Sequence, residues 1–197
     1  MKTASEFARG YLAELKGVLD RVPLEAIDRA VRAIEAAHVA GKQIFVIGNG
    51  GSAATASHMM NDLCKGTLGH KGDAPWKRFR VIALTDNVSL MTAWANDTDY
   101  NHIFSEPLRN LAGRGDVLVA ISASGNSPNI IAAVEVAKTI GLRVIGLTGF
   151  GGGKLAKLAD VSFTVPSNEY GPVEDVHMIL DHIITGYLYE KLKQALA

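Results

Sequence analysis

A single cysteine among 197 residues, Cys64, has nothing in the chain to pair with, which excludes an intrachain disulfide framework and a zinc ribbon. Its expected place is that of a small buried apolar side chain in a protein of a reducing compartment. Net charge is missing too. Twenty lysines plus arginines meet 20 aspartates plus glutamates, so no global positive field draws nucleic acid or an anionic membrane. No run approaches the roughly 18 uncharged apolar residues of a membrane span, and the opening "MKTASEFARGYLAELKG" contains no apolar signal core. These absences predict a cytoplasmic protein with no membrane partner and no direct nucleic-acid partner. Repeats, low-complexity tracts and a dividing linker are also absent. With 48% hydrophobic content the length supports one well-buried core, so residues 1–197 read as one domain.

What is present is patterned. Phe7, Tyr11, Leu15, Val18 and Val22 recur at helical spacing, and after Pro23 so do Ile27, Val31, Ile34 and His38, stopping at Gly41. Residues 1–40 are therefore two helices. Five short runs follow within 43–166, each apolar almost throughout: "QIFVI", "FRVIALT", "DVLVAI", "RVIGLT" and "DVSFTV". Strands covered on both faces read this way. Helical stretches separate them, "SAATASHMMNDLCKG", "SLMTAWANDTDYNHIFSEPLRNLAG", "SPNIIAAVEVAKTIG" and "GKLAKLA", and a final helix is expected over 173–196. Alternating strands and helices predict an α/β fold, a parallel sheet sandwiched by helices. The polar stretch "GTLGHKGDAPWKR" is the one substantial loop.

Two loops carry a chemical signal. Gly48, Gly50 and Ala53 spell G-x-G-x-x-A between a strand and a helix, as a dinucleotide loop does. A dinucleotide fold also needs an acidic residue about 20 positions onward at the end of the second strand. Here that strand ends near Thr85 and Asp86, far beyond. An ATP or GTP loop lacks its G-K-S or G-K-T. What remains is a set of backbone N–H groups with the Ser52 hydroxyl at a helix N-terminus, able to hold one anion without a cation. In "ISASGNSPN", Ser122, Ser124 and Ser127 surround Gly125, with Ser127 as the expected cap and Pro128 at the first helical position. Capping needs one hydroxyl, and three make a phosphate cradle. Both loops follow parallel strands at their carboxyl ends, where open α/β sheets bind ligands. A third loop, "TGFGGGK", has no hydroxyl cluster and reads as a turn.

The segments "GNGGS", "SASGNSPN" and "LTGFGGGK", with the histidine-bearing last helix, resemble the sugar isomerase (SIS) domain, specifically the phosphoheptose isomerases that act on sedoheptulose 7-phosphate. The resemblance runs from about Leu24 to Leu188. It implies a three-layer α/β/α sandwich on a five-stranded parallel sheet, and a homotetramer with sites at subunit interfaces. It also implies a place in heptose biosynthesis for lipopolysaccharide core, capsule or S-layer. A non-catalytic phosphosugar-binding module that acts through protein partners, or an isomerase of a related ketose phosphate, are the alternatives.

Four residues have spacing suited to chemistry. His58 and Asp62 are four apart on one helix. Glu174 and His182 are eight apart on the last, about 80° of rotation. The two pairs could converge on one Zn²⁺ per subunit, which takes such N and O ligands. His177 shares a face with Glu174 but lies about 140° around from His182. The resemblance places metal ligands at His58, Asp62, Glu174 and His182. It assigns substrate contacts to Asn49, Gly50, Gly51, Ser52, Asp97, Ser122, Ser124, Ser127 and Glu174. Aldose–ketose isomerisation needs a base for the proton α to the carbonyl and an acid to shuttle protons between oxygens through an enediol. Asp62 and His182 suit those roles. The chain departs from the family where Asp62 replaces a glutamate, Glu174 a glutamine and Ala123 a threonine, and where "PSNEYGPVED" is shorter.

Overall fold

A computed structural model describes residues 2–69 and 72–195. Two helices come first, α1 (Ala4–Leu19) and α2 (Leu24–Val39). A capping box starts α1: the Thr3 hydroxyl accepts from the Glu6 N–H, and the Glu6 carboxylate accepts from the Thr3 N–H. The five expected strands then appear as β1 (Ile44–Gly48), β2 (Val81–Ala83), β3 (Val117–Ile121), β4 (Arg143–Thr148) and β5 (Val161–Thr164). They form one wholly parallel sheet in the order β2-β1-β3-β4-β5. The connecting helices are α3 (Gly51–Cys64), α4 (Val88–Asp97), α5 (His102–Leu111), α6 (Pro128–Ile140) and α7 (Gly153–Leu158), and α8 (Tyr170–Gln194) closes the chain.

Successive strand residues face opposite sides, and the sheet buries both. Ile44 and Val46 join Val117, Val119 and residues of α2, α3 and α8 in one core. Phe45 and Ile47 join Leu118, Ala120 and residues of α5 and α6 in the other. This double coverage is why the strands read as uninterrupted apolar runs. Each fully buried large side chain, such as Phe45, Phe104 or Phe163, contributes about 1.5–3 kcal/mol.

The stretch "SLMTAWANDTDYNHIFSEPLRNLAG" is two helices rather than one. The Asp99 carboxylate takes the Asn101 N–H at 2.8 Å, a side-chain bond that competes with the helical ladder and ends it. The last helix begins at Tyr170, a turn earlier than expected, because Pro172 falls in its first turn, where no intrahelical N–H is lost. Its expected end at residue 196 lies outside the described residues, as do residues 70 and 71 of the polar loop. Elsewhere that loop is ordered by a 3₁₀ turn over Gly66–Leu68 and by the Trp76 indole N–H donating to the Thr67 carbonyl at 3.0 Å. Cys64 packs half-buried against the core.

The chain runs outward from β1 to β2, then returns past β1 to β3. The crevice between the carboxyl ends of β1 and β3 is thus the topological switch point, where sheets of this kind take their ligands.

Candidate active site

The two signalling loops flank that crevice. Gly48 ends β1 so close to α3 that a Cβ would lie 2.4 Å from the Ser52 carbonyl oxygen. Gly50 caps α3 at φ +54, a left-handed conformation that favours glycine. Gly51 opens the helix and Ser52 is buried behind it. The Asn49 amide exchanges two hydrogen bonds of 2.8 Å with Asn129 of α6, and so ties the loop after β1 to the helix after β3.

After β3, Ser122 and Ser127 place their hydroxyls 3.1 Å apart, and Ser124 accepts from the Asn126 N–H at 3.2 Å. Ser127 stands at the cap position with Pro128 at the first helical one, yet its hydroxyl makes no capping bond. No side chain caps α3 either. Both helix N-termini therefore keep their first N–H groups for an anion. The third glycine loop props up the second. A Cβ on Gly125, at φ +65, would meet the Gly152 carbonyl oxygen at 2.1 Å, and the Leu155 N–H donates to the Gly125 carbonyl at 2.9 Å.

A cavity of about 140 Å³ lies between the loops, lined by Asn49, Ser52, Ser122, Ser124, Ser127 and Glu174 among others. That is room for about five waters at about 30 Å³ each, the scale of one phosphate group. Sites for whole cofactors run to several hundred Å³, so the space argues against a dinucleotide. Asp97 stands apart, exposed at the end of α4 and accepting from Asn96 at 2.8 Å.

Further along α3 is a second group. His58 Nε2 lies 3.4 Å from Asp62 Oδ2, one turn on. α8 packs across α3 and brings His182 Nε2 to 3.2 Å from His58 Nε2 and 3.9 Å from Asp62 Oδ2. The imidazoles are 42% and 55% exposed. Asp181 completes a set of four whose ligand atoms all lie within 4.8 Å of one another. This His/Asp group can hold a metal ion, because facing ring nitrogens beside carboxylates offer lone pairs to one point.

Glu174, expected as a fourth ligand, stands outside that group of donor atoms. Eight residues of helix give about 80° of rotation but also about 12 Å of rise, and the rise carries Glu174 away from His182. Its carboxylate lies at the other loop, where a Cβ on Gly51 would be 2.6 Å from Glu174 Oε2. His177 is buried beneath α8, with Nε2 3.2 Å from the Thr148 carbonyl oxygen. Burial pushes its pKa down to about 4, against a smaller upward pull from that carbonyl. It is a neutral structural imidazole.

Spacing arguments missed Asp181. Burial, then the charge of Asp62, pushes its carboxyl up to about 7, while His58 and a hydrogen bond from Thr185 pull the other way. The sequence signal was there: one acidic residue inside the apolar run "VHMILDHII", where a carboxylate has to be paired or ligated.

Residues 10–149 match the SIS domain family. The phosphoheptose isomerase of Rhodospirillum rubrum is 40% identical over 167 residues, 85% of this chain and 86% of that one. That of Mycobacterium tuberculosis is 37% identical over 193 residues, 97% of this chain and 95% of its own. The solved phosphoheptose isomerase GmhA of Neisseria gonorrhoeae superimposes with a TM-score of 0.86 at 32% identity, covering 94% of this chain and 98% of that one.

Proposed function

The chain belongs to the SIS-domain family of phosphoheptose isomerases, and from that premise we propose how its residues divide the work of isomerising sedoheptulose 7-phosphate to D-glycero-D-manno-heptose 7-phosphate. One observation carries the division. α3 presents Ser52 to the serine cavity at its N-terminus and His58 and Asp62 to the His/Asp group further along, so a single helix links phosphate binding to proton transfer.

The serine hydroxyls, with the first N–H groups of α3 and α6, hold the phosphate and leave the ketose end of the sugar to the His/Asp group. Asp62 takes the proton from C1. His182 moves protons between the oxygens on C1 and C2 as the enediol forms and collapses, and a proton returned to C2 gives the aldose. Asp62 has two oxygens for its tasks: Oδ2 faces the imidazoles, and Oδ1 accepts from Asn61 at 3.2 Å. With Nε2 given to a cation, the His182 ring would keep its proton on Nδ1, and that nitrogen would serve the shuttle. Zn²⁺ is the ion this nitrogen and oxygen donor set suits, and when bound it polarises the carbonyl and enediolate oxygens.

The half-exposed imidazoles, and the exposed Leu24, Ile183 and Tyr187 that line one groove between α2 and α8, support a homotetramer with sites at subunit interfaces. Among the described residues no helix is long and apolar enough to cross a membrane, in keeping with a cytoplasmic enzyme of one domain that supplies heptose to lipopolysaccharide core, capsule or S-layer. The test is incubation of metal-replete protein with sedoheptulose 7-phosphate. An aldoheptose 7-phosphate is the expected product, and no turnover would sink the assignment.

A further inference from the structure

α3 and α8 bring four donors to one point, and the isomerase reading uses only three of them. The fourth, Asp181, is fully buried. Its Oδ1 accepts from the Thr185 hydroxyl at 3.4 Å, while Oδ2 has no hydrogen-bond partner. The ion pairs of the described residues do not include it. The groups that face it are Asp62 and His58 from α3 and Thr185 from its own helix, with His182 beside it in the cluster. A buried carboxylate with a bare oxygen next to a second carboxylate is a costly arrangement unless a cation satisfies both.

The spacing of the other three donors suits such a cation. Ligand atoms around a tetrahedral ion at about 2.0–2.2 Å stand about 3.3–3.6 Å apart, and the three separations here are 3.2, 3.4 and 3.9 Å. Asp181 lies within 4.8 Å of all three. We propose that Asp181 is a direct ligand, through Oδ2, of the divalent cation held by His58, Asp62 and His182, so that one chain alone supplies a complete two-histidine, two-aspartate set. His58 and His182 reach the ion from half-exposed positions. Asp181 reaches it from the buried side, closes the coordination away from solvent and balances the ion's second charge.

The inference rests on the metal reading of the His/Asp group, and one experiment separates the two. Metal-stripped protein is titrated with Zn²⁺ by calorimetry and with Co²⁺ by visible absorption, for the wild type, His58→Ala, Asp181→Asn and Asp181→Leu. The wild type takes up one ion per chain with the strong visible bands of four-coordinate cobalt. Loss of outer partners of a metal site already costs 10–100-fold in affinity. Each Asp181 variant, lacking a direct ligand, is expected to lose about 100-fold, with altered cobalt bands. Thermal unfolding of the metal-free forms guards against misfolding: Asp181→Leu, which trades an unpartnered buried carboxylate for an apolar side chain, melts no lower than the wild type. If His58→Ala loses the ion while the Asp181 variants lose less than about tenfold, or keep the wild-type cobalt spectrum, Asp181 is not a ligand and the metal reading stands. If the wild type binds neither ion, both fall.

Discussion

The serine cavity and the His/Asp group share α3 but are built by opposite means. The cavity is made of loops that each follow a strand end, using backbone N–H groups, hydroxyls and glycines at close approaches. The His/Asp group is made of side chains from α3 and α8, residues more than a hundred positions apart in the chain, and exists only because those helices pack together. A backbone-rich cradle suits a ligand whose charge does not change during reaction. Titratable groups within 3.2–3.9 Å of one another suit a centre where protons move. Holding and converting should therefore separate under mutation.

The largest expected effect lies on the converting side. Asp62→Asn and His182→Gln each remove a group proposed to transfer protons, a contribution of about 10²–10⁴-fold. Turnover of sedoheptulose 7-phosphate should fall by about 10³-fold while the affinity for inorganic phosphate, measured by calorimetry, stays within about twofold. Equal loss of both would merge the two groups into one.

Next is the element that holds them in relation. His177 anchors α8 to the end of β4 as a neutral imidazole. The unfolded chain binds its proton near 6.5 and the folded chain only near 4, so between those values the unfolded state carries more protons and stability rises with pH. Stability is full above about 6.5 and is lost as pH falls, by about 2 kcal/mol between pH 8 and pH 5. Urea unfolding at the two values checks this, and His177→Leu should flatten the dependence. An unchanged slope in that variant would remove His177 as the acid-sensitive anchor.

On the holding side the effects are smaller. Ser122→Ala and Ser127→Ala each delete a hydroxyl facing the cavity, and a hydrogen bond to a charged group is worth about 1.5–3 kcal/mol, of which water returns a part. Each should weaken inhibition by phosphate about tenfold and raise KM with little change in kcat. A fall in kcat at constant KM would place these hydroxyls at the reacting end instead.

The same contrast explains how much was legible in the sequence. Five apolar runs became five strands in a parallel sheet, because double coverage leaves a pattern that neighbouring residues carry by themselves. The cavity serines were legible for a similar reason: strand end, glycine, hydroxyl and helix start follow one another within ten residues. The break between α4 and α5 was not, since a run that is helical in composition hides the one carboxylate, Asp99, that diverts a backbone bond. Asp181 was not legible, and Glu174 stands apart from His182, because eight helical residues add rise as well as rotation, and because packing of α8 on α3, rather than spacing along either, decides which side chains meet.

Glu174 gives the finest test of the division, for it lies on the same helix as His182 yet in the other group. Its carboxylate sits beside Gly51 at the N-terminus of α3 and lines the cavity with the serines, where its negative charge opposes an incoming phosphate. Glu174→Gln keeps the shape and removes the charge. If Glu174 acts from within the cavity, phosphate should inhibit the variant more tightly by about two- to tenfold, on the scale of one partly screened charge pair, with Zn²⁺ affinity unchanged. If it is instead drawn to the ion, the order reverses: Zn²⁺ affinity falls and phosphate binding does not move. Raising the ionic strength sharpens the choice, since screening shrinks a through-space repulsion of phosphate but leaves a lost ligand lost.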